Sequence, residues 1–170
     1  MKTTDSFLAR FFVLAACGVL PLLSAVSAVD DHCDGCDEPG RMYWGSSATV
    51  LLPQGGSDMR RLGGGTARIG HYLSETLAVE ADAAWLEDSV GLGIQGLWHF
   101  WGYERFDPFA TIGARGWIDG DVGPVAGLGA FYHLTDSWSL RFDATAAMAV
   151  DTPCGMCYGL SLGLQWSFGE

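Results

Sequence analysis

Lysine is nearly missing from this chain: Lys2 is the only one, and charged residues make up 17% of the 170 positions. Soluble proteins carry about 25% charged residues and place lysine on exposed and edge strands, so this surface is not one built for water. A basic patch is missing as well. With 9 Lys and Arg against 20 Asp and Glu, the net charge of −11 excludes nucleic acid as a partner, because phosphate contacts need clustered cations. Beyond residue 28 no run of apolar residues is long enough for a membrane-spanning helix, which takes about 18 or more. The 24 glycines have no three-residue period and prolines number six, which excludes collagen. Sparse charge combined with 12% aromatics excludes a disordered chain. One folded domain is expected from the length.

Residues 1–28 are a secretory signal peptide. Basic Lys2 and Arg10 precede an apolar run from Phe11 to Val26, and small residues follow at Ser27 and Ala28. The sequence Leu14-Ala15-Ala16-Cys17 has the form of a lipoprotein box that would acylate Cys17. The apolar stretch between Arg10 and Cys17 is shorter than the usual core, however, and continues past the cysteine, so cleavage after Ala28 is expected. Residues 29–40 then form an acidic N-terminal tail, read as a solvated segment, and residues 41–170 form the folded domain.

Helical periodicity fails along that domain, whereas period-two alternation recurs in eight segments of about 11 residues. In Tyr158–Phe168 one face reads Tyr158, Leu160, Leu162, Leu164, Trp166 and Phe168, and the other Gly159, Ser161, Gly163, Gln165 and Ser167. Residues 138–148 and 90–100 repeat the pattern. Weaker versions cover 41–52, 62–73, 76–86, 107–117 and 122–133, with turn residues between them. The register is supported by an internal repeat, in which Tyr72 to Ala83 aligns with His133 to Ala144. Each copy is a strand end, a polar turn and a strand start.

Alternation alone does not say whether the apolar face meets a core or lipid. Three features choose lipid. The other face is rich in Gly, Ser and Ala and holds no lysine. Its few charges balance, with Arg68, Arg115 and Arg141 set against Glu80, Asp82 and Asp143, as a narrow interior requires because an unpaired charge there is costly. Aromatics gather near strand ends on the apolar face, at Trp44, Trp85, Trp98, Phe100, Trp138, Tyr158, Trp166 and Phe168, as membrane-interface girdles do. The segment length suits a tilted spanning strand, and an even strand count closes the sheet without edges. The expected fold is an all-β, eight-stranded, antiparallel up-and-down transmembrane barrel. The rival is a secreted soluble barrel of the lipocalin type with a ligand against its apolar face.

From Arg41 to Phe168 the sequence resembles the small eight-stranded outer membrane barrels of the OmpA/OmpX-like group. The stretches Phe131 to Arg141 and Pro108 to Gly116 are similar to that group's hairpins. Ser161, Gly163, Trp166 and Phe168 resemble its assembly signal, spaced polar, glycine, apolar, aromatic. The resemblance implies residence in the outer membrane of a Gram-negative-type bacterium, contact with its lipids, and recognition by its assembly machinery. As a departure from the larger members, no peptidoglycan-binding domain is expected after the eighth strand, and the resemblance names no protein partner.

Four cysteines outside the signal peptide form two close pairs, Cys33 with Cys36 and Cys154 with Cys157. With a periplasmic N-terminus the pairs fall at opposite ends of the barrel, so a shared zinc site is not expected. In an oxidising compartment each pair is expected to close a local disulfide. Some barrels of this outline are lipid-modifying enzymes with histidine at the outer rim. Here His32, His71, His99 and His133 all fall toward the periplasmic end, so no catalytic site, cofactor or metal is expected. The external loops, 53–61, 87–88, 118–121 and 150–156, are short, which weakens any reading as an adhesin. Because eight strands leave an interior just wide enough for side chains, and Leu97, Phe109 and Trp117 point inward with three arginines, the expected function is structural. Inward glycines at 91, 93, 113, 127, 129, 159 and 163 keep a narrow solute channel as the alternative.

Overall fold

The computed structural model describes residues 39–54, 62–86, 89–100, 105–118, 122–148 and 156–168. The expected signal peptide and acidic tail, His32, and Cys33, Cys36 and Cys154 lie outside the described residues. Among the described residues the chain forms eight strands: β1 (Met42–Gln54), β2 (Leu62–Ser74), β3 (Leu77–Leu86), β4 (Ser89–His99), β5 (Phe106–Trp117), β6 (Val122–His133), β7 (Trp138–Met148) and β8 (Met156–Phe168). Every strand pairs antiparallel with its sequence neighbour, and β1 pairs with β8, so the sheet closes into a barrel with no free edge.

The expected strand positions hold, and several ends shift for local reasons. β1 and β8 are longer than their alternation suggests, because Pro53 and Gln54 pair across the seam with Cys157 and Met156. On the other side Cys157 and Met156 pair with Ala147 and Met148. Thr76 belongs to the turn and not to β3, since its N–H faces the Ser74 hydroxyl at 3.4 Å. In the repeat's second copy Thr135 takes the place of Ser74, its hydroxyl accepting from the N–H of Ser137 at 3.3 Å and of Trp138 at 3.0 Å. Arg41 precedes β1, which the chain enters through Gly40 at φ +90°. Phe100 lies beyond β4, although its N–H donates to the Pro108 carbonyl at 2.9 Å. Phe106, read as a turn residue, opens β5, and β4 begins one residue before the expected Val90, at Ser89.

Alternation sorts the side chains onto two faces. Outside are Trp44, Leu92, Ile94, Trp98, Ile112, Leu128, Phe142, Leu160 and their neighbours, with Ile112 as much as 72% exposed. Inside, the six charged residues singled out by sequence are at most 9% exposed. A water-soluble barrel of this size would carry the reverse distribution. The end holding the start of β1 and turns 75–76 and 134–137 is called the turn end below, and the opposite one the loop end.

Candidate functional site

The turn end of the lumen is floored with rings. Tyr43, Tyr72, Phe109 and Phe131 are fully buried there with Leu97 and Ala78. Phe109 and Phe131 stack with centroids 4.8 Å apart, and Tyr43 leans on Tyr72 at 5.2 Å. His99 lies nearly parallel to Phe131 at 5.8 Å, its Nδ1 2.5 Å from Asp107 Oδ2. His133 Nδ1 meets the Ser139 hydroxyl at 2.8 Å. His71 differs from these two, because its place in β2 alternates to the outer face beside Met42. Of the histidines described, His99 and His133 are therefore luminal and His71 lies on the outer wall near the turn end.

Above the rings sits a four-residue ionic cluster. Glu80 is held by Arg141 through both terminal nitrogens and approaches Arg68 Nε at 3.5 Å. Asp143 accepts from Arg141 Nε at 2.9 Å and pairs with Arg68 Nη2 at 3.1 Å. Two cations and two anions thus cancel inside a medium that would penalise any excess. Neutral groups complete the shell: the Tyr43 hydroxyl donates to Glu80 at 2.9 Å, Gln95 Nε2 donates to Glu80 at 2.5 Å, and Arg68 donates to the Ser47 hydroxyl at 2.7 Å. The Arg141 guanidinium also lies over Phe109 and Phe131, 5.0 and 5.2 Å from their centroids, which ties the cluster to the rings through cation–π attraction. Arg115 and Asp82 form a separate pair, with Nε and Nη2 donating to one carboxylate oxygen at 3.1 and 2.8 Å.

The internal repeat explains how the cluster meets. Its alignment sets Glu80 opposite Arg141 and Asp82 opposite Asp143. β3 and β7 lie four strands apart in a closed sheet of eight, so equivalent positions face each other across the axis. The two copies differ in sign at one rung, and that difference becomes the central ion pair. The sequence set the three arginines against the three acids as a group but did not resolve partners. The structure joins Arg68, Glu80, Arg141 and Asp143 and leaves Arg115 with Asp82. Tyr43, Ser47, Gln95 and Thr111, which donates to Gln95 at 3.0 Å, were not singled out by sequence; their inward places in the alternation were the available signal.

Several inward glycines lie against neighbouring side chains. A Cβ at Gly70 would run into the Tyr43 ring, one at Gly91 would lie 2.9 Å from Trp117, and one at Gly93 would lie 2.5 Å from the Asp82 carboxylate. At Gly129 it would meet the Phe109 ring and the Phe142 carbonyl. Each gap is filled by a neighbour. The remaining residues of interest sit in β8: Ser161 and Gly163 alternate inward, Ser161 bonding to Thr49 at 2.9 Å, while Trp166 and Phe168 alternate outward with ring centroids 5.3 Å apart. Trp166 stacks further on Trp138 at 6.3 Å and meets Trp44 edge-on at 6.4 Å across the seam. Cys157 alternates inward near the loop end of β8; its expected partner Cys154 is outside the described residues.

No protein family and no curated protein matches the chain in sequence. Solved structures match its fold. Neisserial surface protein A superposes with a TM-score of 0.64 at 13% identity, over 76% of this chain and 99% of that one. The N-terminal β-barrel domain of Pseudomonas aeruginosa OprF gives 0.60 at 12%, over 76% and 98%. A de novo designed transmembrane β-barrel gives 0.62 at 14%, over 77% and 98%. At these identities the likeness concerns the fold alone. The chain has the fold of the small eight-stranded outer membrane barrels, a closed, all-antiparallel transmembrane β-barrel.

Proposed function

We propose that the protein is a non-enzymatic, envelope-stabilising barrel of the bacterial outer membrane, with a lumen closed by its own side chains. The observation that carries this reading is the burial of the ionic cluster: Glu80 is 1% and Arg141 3% exposed, and a continuous water path through the axis would wet both. The filled glycine gaps work against the solute-channel alternative in the same way. A luminal active site is disfavoured by geometry, since the His99–Asp107 and His133–Ser139 contacts are buried beside the rings. The apolar outer wall with aromatics at its ends suits lipid on all sides. In this reading the signal peptide directs export, the turn end faces the periplasm, and Ser161, Gly163, Trp166 and Phe168 are read by the assembly machinery during insertion. Outer membrane lipid is the partner.

Planar-bilayer recording tests the closed lumen. Purified protein should insert without stable unitary current steps at neutral pH. Reproducible steps would show a conducting path and replace the scaffold reading with the channel.

A further inference from the structure

The turn end of the lumen holds a second polar group besides the ionic cluster, and its bonding is incomplete. His99 and Asp107 are wholly buried, and His133 and Ser139 are 4% and 2% exposed. Phe131 lies beside both histidines, its ring centroid 5.8 Å from that of His99 and 6.3 Å from that of His133. Each imidazole is held through Nδ1 alone, His99 by Asp107 Oδ2 at 2.5 Å and His133 by the Ser139 hydroxyl at 2.8 Å. Neither Nε2 has a hydrogen-bond partner. The ionisable groups within electrostatic reach of His133 are Asp107, His99 and Arg41, so a single carboxylate faces it, and His99 already holds that carboxylate. Glu80 and Asp143, above the rings, are taken up by Arg68 and Arg141.

We propose that His133 is an acid-sensitive latch on the turn end of the lumen: when its Nε2 takes up a proton, the floor beside the 134–137 turn opens to water. The inference rests on the closed lumen given under Proposed function, and goes beyond it by supplying a trigger at that end. An uncharged imidazole fits this place with its one bond to Ser139. An added proton turns Nε2 into a cationic N–H for which the closed floor has no acceptor, and a buried charge without a partner is costly. Histidine in water takes up its proton near about pH 6.5, so acid favours the arrangement in which water reaches the ring. The way out is short. His133 ends β6, and the main-chain bonds that hold the chain there are its own N–H to the Arg105 carbonyl at 2.9 Å and the N–H groups of Leu134 and Thr135 to the Trp138 carbonyl at 2.8 and 3.1 Å. His99 differs, because Asp107 already pairs any charge that it takes up.

Amide hydrogen exchange of the full protein, folded in detergent micelles, reads the opening as a protection factor corrected for the chemical effect of pH on exchange. Between about pH 7 and pH 5 the amides of His133 and Leu134 should lose protection roughly 25-fold, the shift imposed by one proton that only the open form takes up. Amides toward the loop end, such as those of Thr49 and Ser161, should keep theirs. His133→Gln removes the titrating ring and should make protection at the turn independent of pH, whereas His71→Gln, on the outer wall beside Met42, should leave the wild-type response. Nuclear magnetic resonance of isotope-labelled histidine in the wild-type protein needs no variant: the His133 ring should titrate in step with the loss of protection. Constant protection over that range, a response that survives His133→Gln, or a His133 ring that titrates while the turn stays protected would each overturn the latch and leave the closed lumen standing. Loss of protection at both ends together would overturn it in favour of general acid unfolding. Turn-end amides unprotected already at neutral pH would overturn the closed lumen and the latch together.

Discussion

Arg141→Ala should destabilise the folded protein by about 3–5 kcal/mol, the cost of leaving a buried charge without its partner. The substitution strands more than one group. Glu80 loses its two-pronged donor and Asp143 loses the Nε contact, so two carboxylates are left with Arg68 as their remaining cation. The ring floor loses the guanidinium over Phe109 and Phe131 at the same time. Replacing Glu80 and Arg141 together by leucine and methionine removes both charges and keeps most of the volume, and should recover a large part of the loss; Asp143 and Arg68 still pair in that variant. Urea midpoints of the vesicle-folded proteins, followed by tryptophan emission, measure both effects. An unchanged midpoint for Arg141→Ala would mean that water already solvates the cluster.

Gly113→Ala should cost roughly 3 kcal/mol, at the upper end of overpacking penalties. Its Cβ would meet the carbonyl oxygen of Ile94 and lie 2.6 Å from the Cα of Gln95. These are main-chain atoms of β4, so no rotamer change relieves the clash and the two strands must part. Gly96, one strand away, is the control. It faces outward, and its nearest neighbours to a new Cβ are carbonyl oxygens at 4.0 Å, so Gly96→Ala should change stability by no more than about 0.5 kcal/mol. Equal midpoints for the two variants would show that the close approach at Gly113 is not part of the folded barrel.

Much of the barrel was legible because its physics is periodic. Strands that face lipid on one side and a packed interior on the other must alternate, and residues 158–168 do so throughout. The strand ends were less legible because they depend on cross-seam pairing: nothing in Pro53 or Gln54 announces a strand, and only β8 holds them there. The charged residues of the lumen could be counted and balanced from sequence, since a narrow interior tolerates no surplus. Their partners could not, because Arg68 reaches Asp143 on a strand three places away and Arg115 reaches Asp82 over Gly93 of the strand between them. The Glu80–Arg141 pair was the exception in waiting. The repeat already aligned the two positions, and recognising that a half-barrel offset places them face to face would have assigned the contact. The glycines were harder to read, because sequence shows that a Cβ is missing but not which neighbour lies beside it.

Electrophoretic mobility with and without heating tests the central claim most directly. Protein folded into detergent or lipid and run unheated should migrate apart from the boiled sample, because a closed barrel with a filled, ion-paired lumen keeps its compact form in the gel, and its circular dichroism should be that of β-sheet. A single band at the same position under both conditions, with a helical spectrum, would contradict a closed eight-stranded transmembrane barrel.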